Sequence, residues 1–346
     1  MHNINTYIGR QSAWHNLGTV TGNYMSWAEI LQHGGLDFEV VKNQLEYNGM
    51  PVAAWGIFRN DNGAFLGAVG EQYTPIQHQR GFEMIDALVR SKDGAHYETA
   101  GVLGEGEKVW GLADLKLAVT VGDDVQNGYL LFSTSHDGSM SHQYKTCLTR
   151  VVCQNTLNVA LGEKTKSVFR IKHTRNNGDK IADAHQALAG ISADVSSMEQ
   201  KLNFLAGRKV TKEAMVSVLD RLFPAKKDDD GKPVDSTRRD NILTAILHNY
   251  ESNDHNAFPE QRGTAYNLLN SITEHTDHER STRGNGRAES ALFGSGDALK
   301  SKAFEVLLET AAGLPERPTV TRMPVYSDIR PFAGGLLDSV LAGMTA

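Results

Sequence analysis

Few residues in this chain combine types and spacing that could do chemistry. In Glu274-His275-Thr276-Asp277-His278 two imidazoles stand three apart with a carboxylate between them. On a helix they would share a face, as ligands of a metal-dependent hydrolase do. A protease-type zinc site demands HExxH and a third ligand, which the sequence does not supply. The segment therefore reads either as a metal centre built on His275, Asp277 and His278 or as a polar helix end. Gly101-Val102-Leu103-Gly104-Glu105-Gly106 matches a phosphate-binding loop in glycine count alone. A strand pattern follows it where a phosphate would need a helix N-terminus, so it reads as a hairpin turn. GxSxG elbows and Walker loops are absent from the sequence. No catalytic residue, metal or cofactor is assigned, and the chain is expected not to be an enzyme.

The second stretch is basic. Residues 141–180 carry Lys145, Arg150, Lys164, Lys166, Arg170, Lys172, Arg175 and Lys180 against only Glu163 and Asp179. The whole chain has a formal net charge of −6, and residues 1–140 hold 8 basic and 16 acidic side chains, so this window stands out against an acidic molecule. A charge run is often mere solvated surface. Alternation over Lys164–His173 nonetheless sets Val168, Arg170 and Lys172 on one face and Phe169, Ile171 and His173 on the other. One face buries and the other presents cations. Lys145, Arg150, Lys164, Lys166, Arg170 and Lys172 are thus candidate contacts for the phosphates of single-stranded DNA. Tyr73, Trp110 and Tyr129 are possible stacking surfaces, although single aromatics in a sheet usually belong to the core.

The elements that must position these side chains divide the chain in two. Glycine is concentrated early, with 19 of 33 in the first 140 residues, where it punctuates short apolar runs. Phe38–Tyr47, Val52–Arg59 and Ala64–Val69 read as a three-stranded meander whose last turn is Asp61-Asn62-Gly63. Gln77–Arg90 shifts to helical spacing through Phe82, Ile85 and Val89. The stretches His96–Leu103, Lys108–Val121 and Gly128–His136 read as antiparallel strands. In the middle one, Lys108, Asp114, Lys116 and Thr120 are placed on a solvent face. His142–Leu161 then reads as a helix, with Arg150, Gln154 and Asn158 in an outward row. The fold class is α+β: an antiparallel sheet with a helix, three strands, helix core, followed by an all-α domain. Asn176-Asn177-Gly178 marks the expected boundary between domains 1–178 and 179–346. Helical spacing recurs near 180–206, 211–223, 236–251, 260–278 and 297–312, while 225–233 reads as an exposed connection. Phe332, Leu336, Leu337, Val340 and Leu341 read as a short docking helix in an otherwise irregular tail.

At 346 residues and 40% hydrophobic content the chain can bury a core without disulfide staples. Cys147 and Cys153 lack CxxC spacing and read as buried reduced thiols. No run approaches the roughly 18 apolar residues of a membrane span, and the N-terminus lacks an export pattern, so a cytosolic protein is expected.

Several of these segments carry a resemblance. Ala13-Trp14-His15-Asn16-Leu17-Gly18, Gly70-Glu71-Gln72-Tyr73-Thr74-Pro75-Ile76-Gln77, Arg150-Val151-Val152-Cys153-Gln154-Asn155-Thr156-Leu157 and Gly263-Thr264-Ala265-Tyr266-Asn267-Leu268-Leu269-Asn270 resemble the phage/plasmid-like protein family, built on a domain of unknown function. That resemblance implies carriage on a mobile element and names no reaction. The expected order of helix, three strands and helix is similar to the core of single-strand annealing proteins of the Rad-fifty-two, Erf and RecT type. It implies a homo-oligomeric ring or filament that holds single-stranded DNA by its backbone. The reading taken forward is a non-enzymatic DNA-binding and annealing protein of a phage or plasmid. The alternatives are a metal-dependent nuclease or other hydrolase, and a regulator whose partner is another protein.

Overall fold

The computed structural model describes residues 6–8, 19–20, 26–91, 96–150, 156–158, 168–174, 191–234, 236–252, 258–281 and 286–316. Contacts divide the chain into two compact units. The first comprises Met1–Ala118, Asn127–Thr149 and Glu163–Val195; the second comprises Val119–Gln126, Arg150–Gly162 and Ser196–Ala346. The architecture is mixed α+β, with antiparallel sheets in the N-terminal half and helices mainly in the C-terminal part.

The short strands β1 (Thr6–Ile8) and β2 (Thr19–Val20) precede helix α1 (Trp27–His33). Ser26 caps α1 in a capping box: its hydroxyl accepts from the Glu29 N–H, and the Glu29 carboxylate accepts from the Ser26 N–H at 2.8 Å. Strands β3 (Val40–Tyr47), β4 (Met50–Arg59) and β5 (Phe65–Val69) form the expected meander. Gly63 in its last turn has φ +72°, a conformation that costs glycine nothing.

Helix α2 (His78–Ser91) buries Phe82 and Ile85. It is followed by β6 (His96–Leu103), β7 (Lys108–Val121), β8 (Asp124–Ser135) and β9 (His142–Arg150), neighbours in the main sheet. β1 pairs with β6, while β10 (Thr156–Asn158) and β11 (Val168–Ile171) both pair with β9. Two glycines set how closely α2 approaches this sheet. A Cβ on Gly81 would stand 2.2 Å from Cζ of Phe132 on β8, and one on Gly111 of β7 would stand 2.5 Å from Cε1 of Phe82. The Tyr97 hydroxyl of β6 donates to the Phe82 carbonyl at 2.9 Å and fixes the same approach.

One element differs from the sequence reading. The segment beginning at His142 is not the second helix of a helix, three strands, helix core; it starts as strand β9, while 151–155 and 159–167 lie outside the described residues. The reason is burial on both faces. His142, Tyr144 and Leu148 alternate with Gln143, Lys145 and Cys147, all of them buried, so polar side chains at core positions concealed the period of two. The expected boundary at Asn176–Gly178 and the tail helix around Phe332–Leu341 lie outside the described residues.

Among the described residues the remaining α-helices are α3 (Ile191–Ala206), α4 (Lys212–Leu222), α5 (Thr237–Ser252), α6 (Ala265–Glu274), α7 (Gly286–Phe293) and α8 (Ser295–Ala311). A small exposed ladder, β12 (Lys226–Lys227) with β13 (Pro233–Val234), occupies the connection between α4 and α5. Thr211 and Thr264 cap α4 and α6 by accepting from the N–H groups of Ala214 and Asn267. Leu243, Ile246, Leu268, Ile272, Phe304 and Leu307 pack at the centre. The tip of the β7–β8 hairpin belongs to the second unit. Its Asp124 accepts from the Tyr266 hydroxyl at 2.6 Å, and Gln126 donates to that hydroxyl at 2.6 Å.

Candidate nucleic-acid interface and a buried carboxylate–histidine cluster

Strand β11 follows the alternation read from the sequence. Arg170 and Lys172 are exposed, while Ile171 and His173 beside them are buried. Arg170 pairs across the ladder with Gln143 of β9, and its Nε lies 3.4 Å from Gln143 Oε1. Gln143 in turn donates to Ser133 Oγ at 3.0 Å. Among the described residues neither Arg170 nor Lys172 forms an ion pair.

The other four candidate contacts fare differently. Lys145 sits on β9 opposite Val168, on the same sheet face as Arg170, but it is 5% exposed and so is a buried lysine rather than a free phosphate contact. Arg150 closes β9, and its side chain lies outside the described residues. Lys164 and Lys166 also lie outside them. The possible stacking rings are core groups: Trp110 and Tyr129 are buried, and Tyr73 stacks on His173 with centroids 4.8 Å apart.

The candidate metal segment closes as a π-helical turn, His275–Glu279. His275 Nδ1 lies 3.1 Å from Glu279 Oε2, and the Asp277 carboxylate accepts from Lys300 at 2.6 Å. That ammonium is itself buried, so Asp277 is held in an internal ion pair.

A different cluster assembles in the first unit. His96 and Asp114 are direct partners across β6 and β7, which puts their side chains on one face. The ladder slips by one residue between Tyr97 and Thr99; this bulge aims Glu98 at the same place. His96 Nε2 is 3.2 Å from Glu98 Oε2 and 3.9 Å from Asp114 Oδ2. All three residues are buried. Asp114 is clasped by its neighbour two residues on: Oδ1 accepts from the Lys116 N–H at 2.7 Å and Oδ2 from Lys116 Nζ at 2.6 Å. Lys116 adopts φ +51° to do so. Burial, and after it the charges of Glu98 and Asp114, push the Tyr129 phenol on β8 upward.

The sequence reading assigned Asp114 to a solvent face, yet β7 is buried on both faces from Val109 to Leu115. An Asp-x-Lys pair in an otherwise apolar strand was the signal available; its partners His96 and Glu98 could be found only through the register.

This placement occurs in a recognised setting. The family described as Domain of unknown function (DUF932) matches residues 65–293, two thirds of the chain. The chain belongs to the DUF932 family. No curated protein and no solved structure matches it. The DUF932 match takes in β5 through α7, and with them β11 and the His96–Glu98–Asp114 cluster. Among the described residues no helix of this DUF932 protein is long and apolar enough to cross a membrane.

The α2 face of the same sheet holds four histidines. His78 Nε2 donates to the Leu36 carbonyl at 2.7 Å, so its Nδ1 is left to accept from His136 Nε2 at 3.2 Å. His173 Nδ1 accepts from the Ile76 N–H at 3.2 Å, and His142 Nε2 lies 2.9 Å from the Tyr144 hydroxyl. Burial lowers His78 and His173 to about 4 and His142 to about 3; burial and then His78 hold His136 well below the usual range. These rings are neutral at physiological pH.

Proposed function

We propose that this DUF932 chain is a protein of a phage or plasmid that binds single-stranded DNA by its phosphates and promotes annealing without hydrolysing a nucleotide. The observation that carries the reading is the pair Arg170 and Lys172, both exposed and free of ion pairs among the described residues, with buried Ile171 and His173 anchoring the strand beneath them. Two cations two residues apart, Arg170 on β11 and Lys172 just past its end, suit a phosphate backbone, whose binding is driven by counterion release and is indifferent to base identity. Neutralised strands repel each other less, and their base edges stay free to pair. Two cations make a short track, so a homo-oligomeric ring or filament is the form in which copies of β11 would line up along one strand.

The test is annealing of two complementary labelled oligonucleotides, followed by energy transfer, with light scattering on the same samples. Faster pairing than in buffer, with protein–DNA assemblies larger than one chain, supports the reading. A protein that neither retards a single strand at low salt nor speeds pairing removes it.

A further inference from the structure

The cluster on β6 and β7 has no part in that reading, and its geometry is that of a cation site. One imidazole nitrogen and two carboxylate oxygens from His96, Glu98 and Asp114 all lie within 4.8 Å of one another. Two ligands held about 2.1 Å from one ion at roughly 90–110° stand about 3.0–3.4 Å apart. The His96–Glu98 separation of 3.2 Å meets that requirement, and the His96–Asp114 separation of 3.9 Å needs only a small contraction. The three residues come from adjacent strands, two of them by direct register and the third through a bulge, so rigid backbone holds their spacing.

One further observation points to a ligand. Among the described residues the buried Thr99 hydroxyl has no hydrogen-bond partner. Thr99 pairs with Leu112, two residues before Asp114, which places it on the same sheet face as the cluster. Two carboxylates buried side by side also demand positive charge. That charge is supplied by Lys116, whose ammonium lies 2.6 Å from Asp114 and whose side chain is 40% exposed, on a flexible stem that can swing out to solvent.

We propose that His96, Glu98 and Asp114 form a binding site for a divalent transition-metal ion of the manganese or zinc class, and that Lys116 is the competing cation that such an ion displaces from Asp114. One nitrogen with two hard oxygens suits these ions, whereas magnesium keeps mostly oxygen ligands and water. The inference is independent of DNA binding: it stands or falls on ion uptake.

The experiment uses the full chain stripped with chelator, titrated with Mn2+ while free ion is read by electron paramagnetic resonance, and repeated with Zn2+ by equilibrium dialysis. The wild-type chain is expected to take up one ion. Glu98→Gln and Asp114→Asn, which keep the side-chain shape, should each weaken uptake at least ~10-fold. Lys116→Met should tighten it, because the competitor is gone. Failure to take up either ion at millimolar concentration overturns the proposal, as does equal uptake by wild type and both amide variants. If an amide variant does not fold, Lys116→Met still decides: unchanged affinity shows that Lys116 does not compete, and the site as stated is lost.

Discussion

Lys300 of α8 donates to Asp277 across 2.6 Å, and the two side chains are 1% and 2% exposed, so the helical unit is closed around an ion pair at its core. Each charge depends on the other, since the low-dielectric surroundings that strengthen their attraction also penalise either one alone.

Lys300→Met is therefore expected to destabilise the chain by about 3–5 kcal/mol, because it takes the ammonium away from a buried carboxylate. Lys300→Met combined with Asp277→Leu should recover most of that loss, since an apolar pair of similar volume needs no counter-charge. Urea unfolding of Lys300→Met, of Asp277→Leu alone and of the double variant measures this. A double variant as unstable as the sum of the singles would show that the pair is not the unit that matters.

At the end of β11, replacing Arg170 and the following Lys172 together with glutamine should weaken single-strand binding whatever the base sequence. It should also flatten the dependence of log affinity on log salt by about 1–2, at roughly 0.7 per phosphate lost. Titrations at four salt concentrations give the slope. An unchanged slope would exclude these two side chains as phosphate contacts.

The four buried histidines predict an acid-labile first unit. Their folded values, about 4 for His78 and His173, about 3 for His142 and well below the usual range for His136, lie under the 6.5 of an unfolded chain. Below pH 6.5 the unfolded chain binds more protons than the folded one, so stability is fully present above that value and is lost as pH falls towards 4. At pH 5 each imidazole costs about 2 kcal/mol. Tm measured from pH 7.5 to 4.5 should drop steeply, and His142→Phe should make the drop shallower by about one proton. A flat Tm across this window would show that the rings are not held neutral.

At Gly81 a methyl group should be costly. Alanine at an exposed helical position gains about 1 kcal/mol over glycine. Here its Cβ would meet the ring of buried Phe132 at 2.2 Å, and overpacking typically costs about 1–3 kcal/mol. Gly81→Ala is expected to lower stability on balance. Gly81→Ala with Phe132→Leu should restore part of it, as thermal denaturation would reveal; no rescue would mean that the glycine serves something other than close packing.

Much of the fold was legible before any coordinates. His96–Leu103 and Lys108–Val121 begin and end where their alternation and glycine turns place them, and α2 follows its period of three and four. The segment starting at His142 was not, because the cues for strand and helix both rest on a contrast between apolar and polar positions. In β9 His142, Gln143 and Lys145 are all buried, so that contrast is missing. Of the proposed phosphate contacts, Arg170 and Lys172 were legible as an exposed alternating pair. The burial of Lys145 was hidden for the same reason as β9: its charge alone does not report its exposure.

By itself the amino-acid order determined the α+β class, the position of most strands and helices, and the exposure of Arg170 and Lys172, since each depends on side chains a few residues apart. Tertiary structure alone decided that His96 and Asp114, eighteen positions apart, stand opposite each other, that a bulge turns Glu98 towards them, and that Asp277 meets Lys300. Such encounters depend on strand register and helix packing. Both are settled by the burial of the whole domain, and no local pattern reports them.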